Sequence, residues 1–224
     1  MKLKIIALAL LCSIFIVQSC IPSIHPIYTE DKLVDIKEIP GVWVKHEDDG
    51  GQQPITSDEE KTQLSFKSDS GQPETWTFRK NGDKSYFLIV DEEGDPAAFD
   101  VHIIKLNENF FMDFFPADMP SEDAKRFAGG QQQEHINTFH SIHLFPVHTF
   151  AKMEIKGDML TISMFDPDFL QKLLERRQIR IKHEETENGY ILTASPEELQ
   201  KFASKYAHVK EAFLDEPIVL KNKL

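Results

Sequence analysis

From residue 40 to residue 165, apolar and polar positions alternate in short runs, and turn residues separate the runs. Gly41-Val42-Trp43-Val44 follows Pro40 and reads as the first strand. Leu64 and Phe66 alternate with polar neighbours, as do Trp76 and Phe78 with Thr75, Thr77 and Arg79. A period of two is the signature of a strand buried on one face. Asn81-Gly82 predicts a two-residue type I′ turn, which needs positive φ at both positions, joining strands 75–80 and 84–90. A turn over 91–96 leads to the face marked by Phe99, Val101 and Ile103, and Asn107-Glu108-Asn109 turns into a strand over 110–115. Four successive strands joined by tight turns form a meander.

Residues 47–61 and 117–133 interrupt this pattern. The first reads as a polar loop with a helical turn at 57–60, the second as a short helix over 121–128 followed by a Gly/Gln loop. Strands resume over 138–145 and 147–155, with Pro146 as a bulge or a turn. Gly157-Asp158 makes a hairpin into 159–165.

Helical spacing appears only after that. Asp166 is a helix N-cap with Pro167 at the first helical position, followed by Phe169, Leu170, Leu173 and Leu174. Arg176 and Arg177 favour the C-terminal end of that dipole. Residues 179–183 and 190–193 read as a hairpin across 184–189. Ser195-Pro196-Glu197-Glu198 is a capping box, and Leu199, Phe202, Ala203 and Tyr206 form one apolar stripe. Residues 217–220 read as a last edge strand. The predicted class is mainly β (α+β): an antiparallel meander forming a barrel or a strongly curved sheet, with two helices in the C-terminal half.

The N-terminus has a different grammar. Lys2 and Lys4 precede an apolar run from Ile5 to Val17, broken only by Ser13. Such a run fits the window of about 7–15 residues for a signal peptide, and falls short of the roughly 20 that a spanning helix needs. Val17-Gln18-Ser19-Cys20 closes it. This stretch resembles the lipobox of bacterial lipoproteins, which implies cleavage before Cys20 and acylation of that residue. More than one acyl chain is needed for stable anchoring, and the resemblance supplies three. The expected organisation is signal peptide over 1–19, lipidated tether and lead-in over 20–39, and a single β-rich domain over 40–224. Pro22 and Pro26 disfavour helix in the tether, which should be short and extended. By the same resemblance, the absence of Asp at position 21 implies the outer membrane of a Gram-negative envelope.

Processing also alters composition. Removing 19 of the 224 residues leaves 205, and loss of Lys2 and Lys4 takes the net charge from −12 to −14. A body this acidic is repelled by nucleic-acid phosphates and by anionic lipid surfaces. Cys12 leaves with the signal and Cys20 is acylated, so the mature domain has no disulfide, no thiolate metal site and no cysteine nucleophile. Stability must come from packing, for which 17 Phe residues are available.

Gly41-Val42-Trp43 in a first meander strand resembles the Gly-x-Trp signature of lipocalins and related calycins. That resemblance implies a barrel closed at one end by the tryptophan, which packs on a late basic side chain; Arg180 is one candidate. The alternative is that Trp43 is a core aromatic. Most of the chain also resembles an uncharacterised group of bacterial lipoproteins, through Ser23-Ile24-His25-Pro26-Ile27-Tyr28, Pro146-Val147-His148-Thr149-Phe150 and Asp166-Pro167-Asp168. A barrel of this strand number can hold one small ligand. Trp43, Trp76, Phe78, Phe99 and Phe114 are the candidate lining.

His135, His140, His143 and His148 crowd one stretch, but a regular strand puts His140 and His143 on opposite faces. His140 and His148 would lie roughly 26 Å apart if extended. A reversal at Pro146 would bring only His143 opposite His148, short of the three ligands of a catalytic zinc site. No metal or other cofactor is expected. The acidic pairs at 48–49 and 91–93, and Asp166 with Asp168, read as solvated turns and a cap. Gly-x-Ser-x-Gly, phosphate-loop and dinucleotide motifs are absent. The reading is a non-catalytic envelope lipoprotein, held to the membrane by its lipid, that binds a small apolar ligand or a protein partner. Its rivals are an envelope hydrolase using His148 with a carboxylate, and a structural envelope-assembly protein.

Overall fold

In the computed structural model, which describes residues 20–46, 73–92, 94–123, 144–187 and 189–223, antiparallel strands close into an eight-stranded barrel. Its strands are β1 (Gly41–Lys45), β2 (Thr75–Lys80), β3 (Ser85–Glu92), β4 (Asp95–Leu106), β5 (Asn109–Pro116), β6 (Thr149–Lys156) and β7 (Met159–Met164), with the last strand of the chain. Between β7 and that last strand the chain leaves the barrel to form α1 (Pro167–Glu175), β8 (His183–Thr186), β9 (Gly189–Leu192), α2 (Pro196–Tyr206) and a 3-10 turn at Lys210–Ala212. It returns as β10 (Ile218–Asn222), which pairs with β7 on one side and β1 on the other. The segment expected at an edge is therefore the closing strand. Its unpaired backbone groups on both sides are satisfied, which removes the sheet edges altogether.

Turn chemistry explains the meander. The β6–β7 hairpin turns at Gly157, φ 63°, and the β4–β5 hairpin at Asn107, φ 55°. The β2–β3 turn differs from the two-residue type I′ expected. Only Gly82 takes positive φ (78°), and the Asn81 amide donates to the Ser85 carbonyl, so the loop is longer and β3 begins at Ser85. The late hairpin also shifts, to β8 and β9, because Thr186 pairs directly with Gly189 and the turn is tighter than a 184–189 loop. Both helices have the expected caps: Asp166 accepts from the Asp168 amide, and Ser195 and Glu198 form the reciprocal box. Residues 144–147 carry no regular structure, so the strand expected up to 145 does not reach that far. Leu64, Phe66, the turn at 57–60, most of 121–128, the Gly/Gln loop, and His135, His140 and His143 lie outside the described residues.

Alternation sends one set of side chains into the barrel. Trp43, Trp76, Phe78, Leu88, Val101, Met112 and Leu220 belong to that inner core. One barrel end is closed by the lead-in, where the Val34 amide donates to the Ile103 carbonyl and Ile36 and Ile39 pack on the inner core. Tyr86 secures this closure. Its hydroxyl accepts from the Ile36 amide at 2.7 Å and donates to Asp35 at 2.9 Å, and burial pushes its pKa up to about 12.

A second core covers the outer wall formed by β4 to β7. Ile104, Phe111, Phe150 and Phe165 face outward there and are buried beneath α1, α2 and residues 21–33. Phe165 is its hub, with ring centroids 5.5 Å from Phe150, 5.3 Å from Phe202 and 4.6 Å from Phe213. Phe165→Ala should cost about 3–5 kcal/mol in chemical denaturation, the range for truncating a buried aromatic. A loss below 1 kcal/mol would show that the outer layer is not coupled to the barrel.

Candidate functional site

β5 reads Phe110-Phe111-Met112-Asp113-Phe114-Phe115, and Asp113 is fully buried in the middle of it. Its neighbours Met112 and Phe114 point into the barrel, so Asp113 faces the outer wall. An uncompensated carboxylate there would be costly. Two donors meet it. The Ile27 amide donates to Oδ2 at 2.9 Å, and His148 Nδ1 lies 2.7 Å from Oδ1. Burial pushes the Asp113 carboxyl above the ordinary carboxylate range, and the bonds from His148 and Ile27 work against that shift.

These contacts tie down the residues that follow Cys20. Ile21, Ser23 and Ile27 are buried. Ser23 exchanges both backbone bonds with His148 at 2.8 Å, and on the other side Ile24 donates to Leu192 and Leu192 to Pro22, each at 2.9 Å. The Ile27 carbonyl accepts from Gln200 Nε2 of α2 at 2.9 Å. Both peptide groups of Ile27 are thus satisfied by side chains far away in sequence. Residues 20–39 carry no helix; the segment expected to be an extended tether runs between His148 and Leu192, turns follow at 30–32 and 37–38, and the whole forms a packed strap and not a free tether.

His102 on β4 pairs across the sheet with Asp113 and stacks on Tyr28, ring centroids 4.1 Å apart. Its buried Nδ1 has no hydrogen-bond partner among the described residues. Burial holds its pKa below the ordinary 6.5. The His148 ring lies tilted against Phe115, centroids 4.5 Å apart, and its side chain is 13% exposed. The cluster is Asp113, His148, His102 and Tyr28 beneath the strap. Ser23 does not complete a nucleophilic triad, because its hydroxyl donates to the His25 carbonyl at 2.7 Å.

The expected site residues fall in three places. Trp43, Trp76, Phe78 and Phe114 are buried inside the barrel, and Phe99 packs against them. Their rings lie against one another, Trp76 to Phe114 at 6.3 Å and Phe99 to Phe114 at 6.5 Å. The Trp43 indole donates to the Ile39 carbonyl at 2.9 Å, and Arg180 lines a cavity beside α1 and β8. His148 sits in the strap cluster, and no group of three metal-ligating side chains occurs among the described residues. Cys20 is half-buried at the start of the strap, and burial raises its thiol pKa. The cavity at Arg180 has a volume of about 410 Å³, lies outside the barrel, and was not foreseen from the sequence.

No family model, curated protein or solved structure matches the chain.

Two outcomes test the cluster. Asp113→Ala should cost about 1–3 kcal/mol, the scale for leaving buried hydrogen-bond donors without an acceptor. Amide exchange should accelerate first at Ser23 and Ile27; uniform acceleration across β2 to β4 would count against a local strap. Because the folded state holds His102 below 6.5, the unfolded chain takes the proton first as pH falls. That contribution to stability is present above 6.5 and lost as pH drops below it. Asp113 has the opposite sign, since its raised folded pKa makes the folded state bind more protons. His102→Phe keeps the ring on Tyr28 and should flatten the fall in denaturation midpoint between about pH 7 and pH 5.5. An unchanged slope would place the acid sensitivity elsewhere.

Proposed function

We propose that this protein is a non-catalytic, lipid-anchored protein of the bacterial cell envelope, at the outer membrane, whose barrel serves as a docking body for a protein partner. The strap carries this reading: the residues directly after Cys20 are buried and hydrogen-bonded from both sides, so a lipid on Cys20 would fix the barrel at the membrane with no slack. A fixed attitude suits a body that presents one face to a partner. The order of Lys2 and Lys4, the apolar run, and Ser19-Cys20 supports the anchor, and Ile at position 21 supports the outer membrane. For the interior, the mutual packing of Trp76, Phe78, Phe99 and Phe114 favours a partner over a stored apolar ligand.

A hydrolase reading rests on the 2.7 Å contact between His148 and Asp113. It is the weaker reading. Asp113 also holds the Ile27 amide, and the Ser23 hydroxyl is turned to a carbonyl. The pair acts better as a fastener than as a base and its orienter.

Cys20→Ser tests the anchor. Protein isolated from its host envelope should have the mass of residues 20–224 plus three acyl chains, and the variant should leave the membrane fraction. Equal membrane yield and equal processed length for both proteins would refute the reading.

A further inference from the structure

The 410 Å³ cavity beside α1 and β8 is lined by two basic side chains, Arg177 and Arg180, two acidic ones, Glu175 and Glu185, and the apolar Leu174, Ile179 and Tyr190. Neither guanidinium forms an ion pair among the described residues. In a chain of net charge −12, the stretch 172–182 is an exception, with Lys172, Arg176, Arg177, Arg180 and Lys182 against one acid, Glu175. Arg177 also occupies the position after the helix end with φ 55°, where glycine is the residue without a steric penalty. The Arg177 and Gln178 amides donate to the Leu174 and Leu173 carbonyls, so this conformation caps the helix and places Arg177 at the cavity wall.

Place in the fold narrows the ligand. His183, in the cavity wall, pairs with Leu192, and Leu192 donates to the Pro22 carbonyl at 2.9 Å. Two strand spacings, roughly 10 Å, separate the wall from the strap. Cys20 is two residues further on, at most about 7 Å of chain. The cavity therefore lies on the anchored flank of the domain. The acidity of the whole chain repels an anionic lipid surface, but a zwitterion carries no net charge to repel. Two guanidiniums suit a phosphate, and two carboxylates suit an ammonium group.

We infer that this cavity binds the headgroup of a phospholipid bearing both a phosphate and a primary amine, beside the acylated Cys20. The phosphate sits against Arg177 and Arg180, the amine against Glu175 and Glu185, and the glycerol end runs along Leu174, Ile179 and Tyr190. This site rests on the lipid-anchor reading and adds a second, non-covalent contact to the same membrane.

Native mass spectrometry of the full protein, extracted from its own envelope in mild detergent, tests it. Phosphatidylethanolamine, phosphatidylglycerol and free phosphoethanolamine are added separately. Wild type should retain phosphatidylethanolamine, and Arg177→Gln/Arg180→Gln should lower its occupancy at least tenfold. Lys172→Gln/Arg176→Gln removes the same charge from residues outside the cavity wall and should leave occupancy unchanged. No lipid adduct, equal loss in both double variants, equal retention of phosphatidylglycerol, or uptake of free phosphoethanolamine without the lipid would each overturn the proposal. The protein's own mass in the same spectra reports acylation, so failure of the anchor and failure of the cavity are read separately.

Discussion

The arrangement depends on one buried carboxylate. Asp113 sits in a strand that is apolar on both sides, where an unmet charge would cost several kcal/mol. Its two oxygens are met from different directions, by the Ile27 amide of the strap and by His148 at the start of β6. The first bond fixes where the N-terminal segment lies. The second fixes where the chain re-enters the barrel. An apolar residue at this position would pack as well but would choose neither; the carboxylate accepts only a geometry that brings both donors.

Around that point the barrel wall is thick. β4 and β5 bury both faces, Ile103 and Met112 inward, Ile104 and Phe111 outward. The outer layer is contributed by segments far apart in sequence: the strap from the N-terminus, and α1, α2 and the β8–β9 hairpin inserted between β7 and β10. Leu192 joins them through backbone bonds to Pro22 and Ile24. Because β10 closes the barrel only after this excursion, the outer layer is topologically locked inside the barrel sequence. Barrel and cover are one folding problem with many non-local contacts, the kind of topology that folds slowly.

The strand pattern was legible because its rule is local. Alternation in β2, glycine at the turn of β6–β7 and the Asp166 and Ser195 caps each depend on a few neighbouring residues. Closure was not. Whether residues 218–222 end at an edge or seal a barrel is decided by β7 and β1, both far earlier in the chain. The cluster was half visible. His148 stood out as a histidine in a strand, but its partner carried a signal that went unused, a lone acid inside Phe110–Phe115. Tyr28 and His102 carried none, since their stacking follows from the strap's path alone. Two prolines near Cys20 suggested a free tether; they are equally suited to an extended strand pinned by others' donors.

That difference between tether and strap bears on what the proposed lipid on Cys20 would do. A flexible linker lets a domain sample orientations over its root-mean-square reach, roughly 5–6 Å times the square root of its length in residues. Here the chain is committed within one residue of Cys20, since Ile21 is already buried. Any lipid on Cys20 must then position the whole barrel, because strap, outer layer and wall share hydrogen bonds at Asp113, Leu192 and Gln200. Forces at the membrane would pass directly to β5 and α2. With the proposed lipid on Cys20, such an arrangement would give up the search volume of a flexible tether and gain a defined distance and attitude.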